Sequence, residues 1–181
     1  MILPKKHPFG ILGGSFDPPH EGHVKISKIS LRKLGLKKIY WVITKKNPFK
    51  NKPYFSLKER IQKSKKITKN FNRIQVLYLD DKIKSSRIIN LVNYLINSKK
   101  KKNLYFILGS DNLINFHKWT KWKKLVKLVK LVVFFRKGYD KKGKDSIVVK
   151  HLDKKNIIYI NNKSIDISSS EIKKNYLKKN K

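Results

Sequence analysis

The sequence predicts an α/β fold on a parallel sheet, and two observations carry that expectation. Six short runs of aliphatic, β-branched and aromatic residues recur along the chain, at 9–12, 39–43, 74–78, 104–108, 131–135 and 157–160. Runs with so little polar interruption suit strands covered on both faces, as parallel sheets are. Between them lie polar and apolar mixtures of helical length, at 22–34, 56–69, 86–98 and 119–128, with a last one at about 169–178. Strand and helix therefore alternate, which is the order that produces right-handed crossovers and a parallel sheet.

Each element has its own local signal. The run Phe9-Gly10-Ile11-Leu12 leads into Gly13-Gly14 and then a Pro-Pro turn, so the first strand ends sharply. Ile39 to Ile43, Leu104 to Leu108 and Leu131 to Phe135 are the most strongly apolar runs; Ile157 to Ile160 is the weakest. The stretch 137–144, with Gly138 and Gly143, reads as a loop, and Lys99 to Lys102 as a solvated turn. No internal repeat or domain boundary is evident.

The 181 residues fit one domain, and 39% apolar residues supply a core. The net charge is +35, which on its face invites polyanions. Of 46 cationic side chains, however, only five are arginine (Arg32, Arg60, Arg73, Arg87 and Arg136), and the lysines are spread over almost every segment. Surfaces that read nucleic acid cluster their charge and favour the arginine fork, so the distribution argues against a nucleic-acid module. The excess still steers small anions such as nucleotides. Without cysteine the chain has neither a disulfide framework nor a thiolate zinc site. The longest apolar stretch, 125–135, is broken by Lys127 and Lys130 and is too short for a bilayer. With nothing like a signal peptide at the start, a soluble cytoplasmic protein is the expectation.

The most informative segment is Gly13-Gly14-Ser15-Phe16-Asp17-Pro18-Pro19-His20-Glu21-Gly22-His23. It leaves the first strand and opens the first helix, where open α/β sheets bind ligands. Gly13 and Gly14 allow the backbone close to a ligand, and the helix start offers N–H groups to phosphate. His20 and His23, three residues apart, share a face of the first turn and are candidate donors to phosphate oxygens. Two imidazoles with no third ligand nearby make a poor zinc site. Farther on, Gly109-Ser110-Asp111 follows another strand; Asp111 suits either ribose hydroxyls or a helix cap. Trp119 and Trp122, at i and i+3, could both be core residues of a helix, and Trp122 is read so. Near the end, Ser168-Ser169-Ser170-Glu171 has the pattern of a capping box.

Together these residues resemble the HxGH nucleotidyltransferases, and in particular the bacterial nicotinate mononucleotide adenylyltransferases. The matching stretches are Gly14 to His23, Gly109-Ser110-Asp111-Asn112-Leu113 with Phe116-His117-Lys118-Trp119, and Ile167 to Lys173. The resemblance implies a single Rossmann-like nucleotidyltransferase domain over residues 9–181, preceded by a short extension, 1–8. It implies AMP transfer from ATP to nicotinate mononucleotide, with Mg²⁺ carried mainly by the ATP phosphates and ATP and the mononucleotide as partners. The homo-oligomeric state stays open. His20 and His23 are the implied catalytic residues. ATP would meet Gly13, Gly14, Ser15, Phe16, both histidines, Gly109, Asp111, Ile167, Ser168, Ser169 and Lys173. The acceptor would meet Ser15, Lys50, Arg87, Trp119 and Arg136. Two positions depart from the family pattern. Lys173 stands where arginine is usual, and Ser85-Ser86-Arg87 replaces a Tyr-Thr segment that lines the acceptor pocket. Rival readings are other HxGH enzymes, with nicotinamide mononucleotide, pantetheine phosphate or cytidylyl chemistry, and a nucleotide-sensing relative without activity.

Overall fold

In a computed structural model describing residues 8–46, 52–101 and 103–161, six strands form one sheet in which every neighbouring pair is parallel. The elements run β1 (Phe9–Gly14), α1 (Glu21–Lys33), β2 (Lys38–Ile43), α2 (Leu57–Thr68) and β3 (Ile74–Leu77). They continue with α3 (Asp80–Ile83), α4 (Ile88–Asn97), β4 (Leu104–Gly109), α5 (Ser110–Ile114), α6 (Trp122–Leu128) and β5 (Val129–Phe134). The described chain ends with α7 (Asp140–Lys144), α8 (Ile147–His151) and β6 (Ile157–Ile160). The order across the sheet is β3-β2-β1-β4-β5-β6, so the chain reverses its direction of winding between β1 and β4. That is the Rossmann-like arrangement, and the reversal opens a crevice beyond the strand ends.

The apolar runs have the cause expected of them. Along β2, Tyr40 and Val42 face one core, while Ile39, Trp41 and Ile43 face a second core on the other side of the sheet. With both faces covered, the strands are mostly apolar, and the polar positions fall at the start of β2 (Lys38) and at exposed points of β3 (Gln75) and β5 (Lys130). Residues of α4 and α6 (Ile89, Leu91, Val92, Leu95, Leu125, Val126) pack into the first core. Those of α1 and α2 (Val24, Leu31, Leu57, Ile61) pack into the second. No helix among the described residues is long and apolar enough to cross a membrane.

Helix α2 starts where its sequence says it should. Ser56 accepts the Glu59 N–H (3.3 Å), and the Glu59 carboxylate accepts the Ser56 N–H (2.8 Å), a reciprocal capping box. The bonds from Ser56, first its hydroxyl and then its backbone N–H, hold the Glu59 carboxyl below its ordinary pKa. A depressed carboxylate contributes stability above its unfolded pKa, and that contribution is lost as pH falls through the folded value. Ser56→Ala is therefore expected to cost about 1 kcal/mol at neutral pH. It should also flatten the acid limb of a denaturation series; an unchanged acid limb would show the box to be idle.

Three expectations need correction. The stretch 137–144 is not all loop: α7 occupies Asp140–Lys144, and its Gly143 packs on α5, where a Cβ would stand 2.9 Å from the Ser110 carbonyl oxygen. Trp119 is not helical. It follows a 3-10 turn (Phe116–Lys118) in extended backbone, and α6 begins only at Trp122. The fifth strand starts at Val129, directly after α6, rather than at 131.

Candidate active site

The site is built where β1 ends. Pairing of β1 with β4 stops at Leu12–Ile107, whereas pairing with β2 continues to Gly14–Ile43. Gly13 therefore borders the crevice on its β4 side. A Cβ there would stand 3.6 Å from the Phe106 ring and 4.0 Å from Ile88, in ordinary contact with protein. The protein around Gly13 would tolerate a side chain, but that side chain would occupy part of the crevice.

Beyond Gly14 the chain turns through Phe16, whose φ of 48° lies in the left-handed region, and a cis Asp17–Pro18 bond. A non-glycine residue there costs about 1–2 kcal/mol. The Phe16 ring is buried, stacked on Trp41 with centroids 4.9 Å apart. Burying a phenylalanine contributes about 1.5–3 kcal/mol, enough to offset the turn.

The two histidines then cap α1 and each other. His20 is the N-cap, and its Nδ1 accepts the Gly22 N–H (3.1 Å), while the His20 N–H donates to His23 Nδ1 (3.2 Å). Their rings lie 3.9 Å apart, and His23 also packs against Phe16 (4.8 Å) and the edge of Trp41 (5.7 Å). Since each Nδ1 is an acceptor, the neutral rings keep their protons on Nε2. The backbone thus fixes both tautomers and turns each histidine into an Nε2–H donor. The Trp41 indole is fixed in turn: it donates to Ser27 Oγ (2.8 Å), which donates to the His23 carbonyl (2.8 Å).

Three residues that local sequence reasoning missed hold this loop in place. Asp17 is buried and accepts the N–H groups of Tyr54 (2.8 Å) and Phe55 (2.9 Å). Arg60, on α2, is only 2% exposed. Its Nη1 donates to the carbonyls of Ser15 (2.7 Å) and Thr44 (2.8 Å), Nη2 to Lys45 (3.2 Å), and Nε to Phe55 (3.2 Å). One guanidinium so joins the exit of β1, the exit of β2 and the approach to α2. Burial pushes its pKa down, and the charge of Asp17 acts in the opposite direction. Asp80, the third, accepts the Lys45 N–H (2.8 Å) and the Ser86 hydroxyl (2.7 Å), tying the exit of β2 to the segment before α4. The one signal available beforehand was the scarcity of arginine, since Arg60 is one of five among 46 cations.

On the other side of Gly13, Val42, Thr44, Ile83, Ser86, Arg87 and Ile88 help to line a narrow recess. It shares Asp80, Ser85 and Ser86 with an open cleft of about 510 Å³ that also meets Lys45, Asp81 and Lys84. Trp119 stacks on Phe116 (4.6 Å) and meets edge-on (5.8 Å) the same Phe106 ring that a Cβ at Gly13 would touch. At the end of β4, Asp111 makes no cap bond; its carboxylate pairs with Arg136 Nε at 3.4 Å, and Gly109 is the N-cap of α5. A Cβ at Gly109 would meet that carboxylate and the Arg136 Nε, so a side chain there would displace the ion pair. The Arg136 N–H donates to Ser110 Oγ and to Asp140 of α7, both at 2.9 Å.

The structure thus brings His20 and His23 together with Phe16, Gly13 together with Arg87, and Gly109 together with Asp111 and Arg136, while Trp119 packs on Phe106 and Phe116. Ser15 contributes its carbonyl to Arg60. Lys50, Ile167, Ser168, Ser169 and Lys173 lie outside the described residues.

A family model described as cytidylyltransferase-like matches residues 11–175, so the chain belongs to the cytidylyltransferase-like family. A protein of Pelagibacter ubique (strain HTCC1062), named "Probable nicotinate-nucleotide adenylyltransferase", is 49% identical over 94% of both chains. Another of that name, from Endomicrobium trichonymphae, is 32% identical over 93% of this chain and 85% of its own. Within the family, the chain belongs to the nicotinate-nucleotide adenylyltransferases. Among solved structures, the Plasmodium falciparum nicotinic acid mononucleotide adenylyltransferase complexed with NaAD superposes with a TM-score of 0.71. At 22% identity, over 93% of this chain and 83% of that one, the likeness concerns the fold.

Proposed function

We propose that this chain transfers AMP from ATP to nicotinate mononucleotide, giving nicotinate adenine dinucleotide and pyrophosphate, in NAD biosynthesis. The observation that carries the proposal is the pair of imidazoles at the exit of β1, each held by its Nδ1 so that Nε2–H is the donor. Phosphate oxygens need donors of this kind, and the start of α1 lies beside them.

In the proposed step, an oxygen of the acceptor's 5′-phosphate attacks the α-phosphorus of ATP as the bond to the β-phosphate oxygen breaks. Pyrophosphate leaves with that electron pair, and no side chain becomes covalently attached. His20 and His23 hold the phosphoryl oxygens as charge shifts towards the leaving group. Gly13, Gly14, Ser15 and Phe16 form the wall against which the triphosphate lies. Gly109 and Asp111, the latter oriented by Arg136, receive the ATP ribose. Trp119 and Arg87 border the acceptor. Lys50 and the segment Ile167, Ser168, Ser169 and Lys173 complete the set as phosphate contacts in this proposal. Alignment of two bound reactants supplies about 7–11 kcal/mol, and one well-placed donor about 3–4 kcal/mol.

Mg²⁺ prefers oxygen ligands in an octahedron. Among the described residues no group of three or more histidines and carboxylates could hold an ion. Carried on the ATP phosphates, Mg²⁺ would neutralise their charge.

The test is pyrophosphate release by the purified chain with MgATP and each acceptor in turn: nicotinate mononucleotide, its amide and pantetheine phosphate. The first should turn over fastest. Turnover restricted to either of the others would replace this proposal with a rival.

A further inference from the structure

We propose that Arg87 selects the acid form of the acceptor, its guanidinium pairing with the carboxylate on the pyridine ring and so disfavouring the amide. The inference rests on the proposed reaction and adds to it the residue that discriminates.

Position is the first argument. Arg87 immediately precedes α4 and lines the recess beside Gly13, Thr44 and Ile88. A Cβ at Gly13 would meet both Ile88 and the Phe106 ring, and Trp119 packs edge-on against that ring. Arg87 and Trp119 therefore border the same end of β1, each one residue removed from it. Ile88, Phe106 and Trp119 all belong to the core on one face of the sheet, whereas the Phe16 and Trp41 rings beside His23 belong to the other. A mononucleotide with its phosphate at the histidines lays its ring end towards Trp119 and Arg87. The anion that Arg87 meets is then the ring carboxylate and not the 5′-phosphate.

Charge is the second argument. Arg87 is exposed, and among the described residues no carboxylate lies within ion-pair distance of its guanidinium. The acids of the neighbouring cleft are engaged elsewhere. Asp80 takes the Lys45 N–H and the Ser86 hydroxyl, and Asp81 takes the Tyr78 hydroxyl at 2.7 Å. The Arg87 backbone is meanwhile fixed, its N–H donating to Ser85 Oγ (3.1 Å) and its carbonyl accepting from Asn90 (3.0 Å).

The third argument is chemical. Carboxylate and carboxamide have nearly the same shape, so a pocket wall cannot separate them. An arginine fork can, because it gives two parallel N–H bonds to a carboxylate. The amide offers it one oxygen and turns its own N–H₂ against the cation. Lysine, the prevailing cation of this chain, has no such fork.

The experiment compares the full chain with Arg87→Gln and Arg87→Lys, measuring kcat/KM for both mononucleotides at saturating MgATP. Arg87→Gln should lower kcat/KM for the acid about 10- to 100-fold, the range for one hydrogen-bonded charge. Its value for the amide should stay within about threefold, since that acceptor never had the ion pair. Arg87→Lys should keep part of the acid preference. Direct titration of each mononucleotide without ATP should show the same change in ratio, so a slow variant does not hide the result. An equal loss for both acceptors, or an unchanged ratio, overturns the inference. A parent chain that makes no dinucleotide from the acid overturns the proposed reaction itself, and this inference with it.

Discussion

His20→Asn is expected to lower turnover on the order of a hundredfold or more while leaving the melting temperature nearly unchanged. The expectation follows from the cap that the structure shows for this side chain and the phosphate contact proposed for it. As the N-cap of α1, His20 accepts the Gly22 N–H through Nδ1, and asparagine is among the preferred residues for that duty. In the proposed phosphate contact it would act through Nε2–H, which asparagine does not place there. His20→Ala removes both functions, so it should lose turnover similarly and about 1 kcal/mol of stability besides. The matching change at the other imidazole is His23→Gln, because glutamine commonly returns the bond to the cap backbone from that position. Stopped-flow or steady-state turnover beside thermal melts separates the two effects. Near-normal turnover in both His20→Asn and His23→Gln would remove the histidines from the chemistry and leave them as caps alone.

Arg60→Met should destabilise the fold more than the substitutions at Ser56, His20 or His23. Its removal withdraws donors from the carbonyls of Ser15, Thr44, Lys45 and Phe55 at once. Buried acceptors left without a partner cost about 1–3 kcal/mol each. Some of these can reach water at the exposed Lys45 end. A net loss of about 3–4 kcal/mol is expected, or a melting temperature about 10 °C lower. Arg60→Lys keeps the charge but can satisfy only part of the set. It should fold, melt between the parent and Arg60→Met, and lose turnover because Ser15 and the histidine loop after it shift. A melt of Arg60→Met within about 2–3 °C of the parent, about 1 kcal/mol, would mean that the loops hold themselves without this residue.

How much was legible beforehand varied with the reach of each signal. The strands could be read because a parallel sheet covered on both faces leaves runs such as Ile39 to Ile43 apolar at every position. Helix α2 could be read from the helical length of the polar and apolar mixture at 56–69, while its capping box, Ser56 with Glu59, came only with the structure. The elements α3, α5, α7 and α8 have four or five residues each, too few to display a 3.6-residue period. Within the site, the turn from Gly13 to His23 stood out because its residue types are dictated locally. The mutual capping of the histidines did not stand out, because histidine is not among the usual caps. Asp17 and Arg60 did not stand out as anchors, since no neighbour in sequence reveals that Asp17 holds the N–H of Tyr54, 37 residues on, or that Arg60 reaches the Ser15 carbonyl, 45 residues back.

The sequence by itself determined where the six strands lie to within a residue or two, that the sheet is parallel, and where the turn from Gly13 to His23 must lie. Those features follow from hydrophobic periodicity and from conformations that only certain side chains allow, and both are written over short windows. Only the tertiary structure decided that Asp111 pairs with Arg136 instead of capping a helix, that Trp119 stands outside α6, and that one guanidinium joins three loops. Such bonds depend on which distant carbonyls and carboxylates folding brings within about 3 Å, the reach of a hydrogen bond. A polar side chain satisfied that way has, in the unfolded chain, no local pattern to announce it.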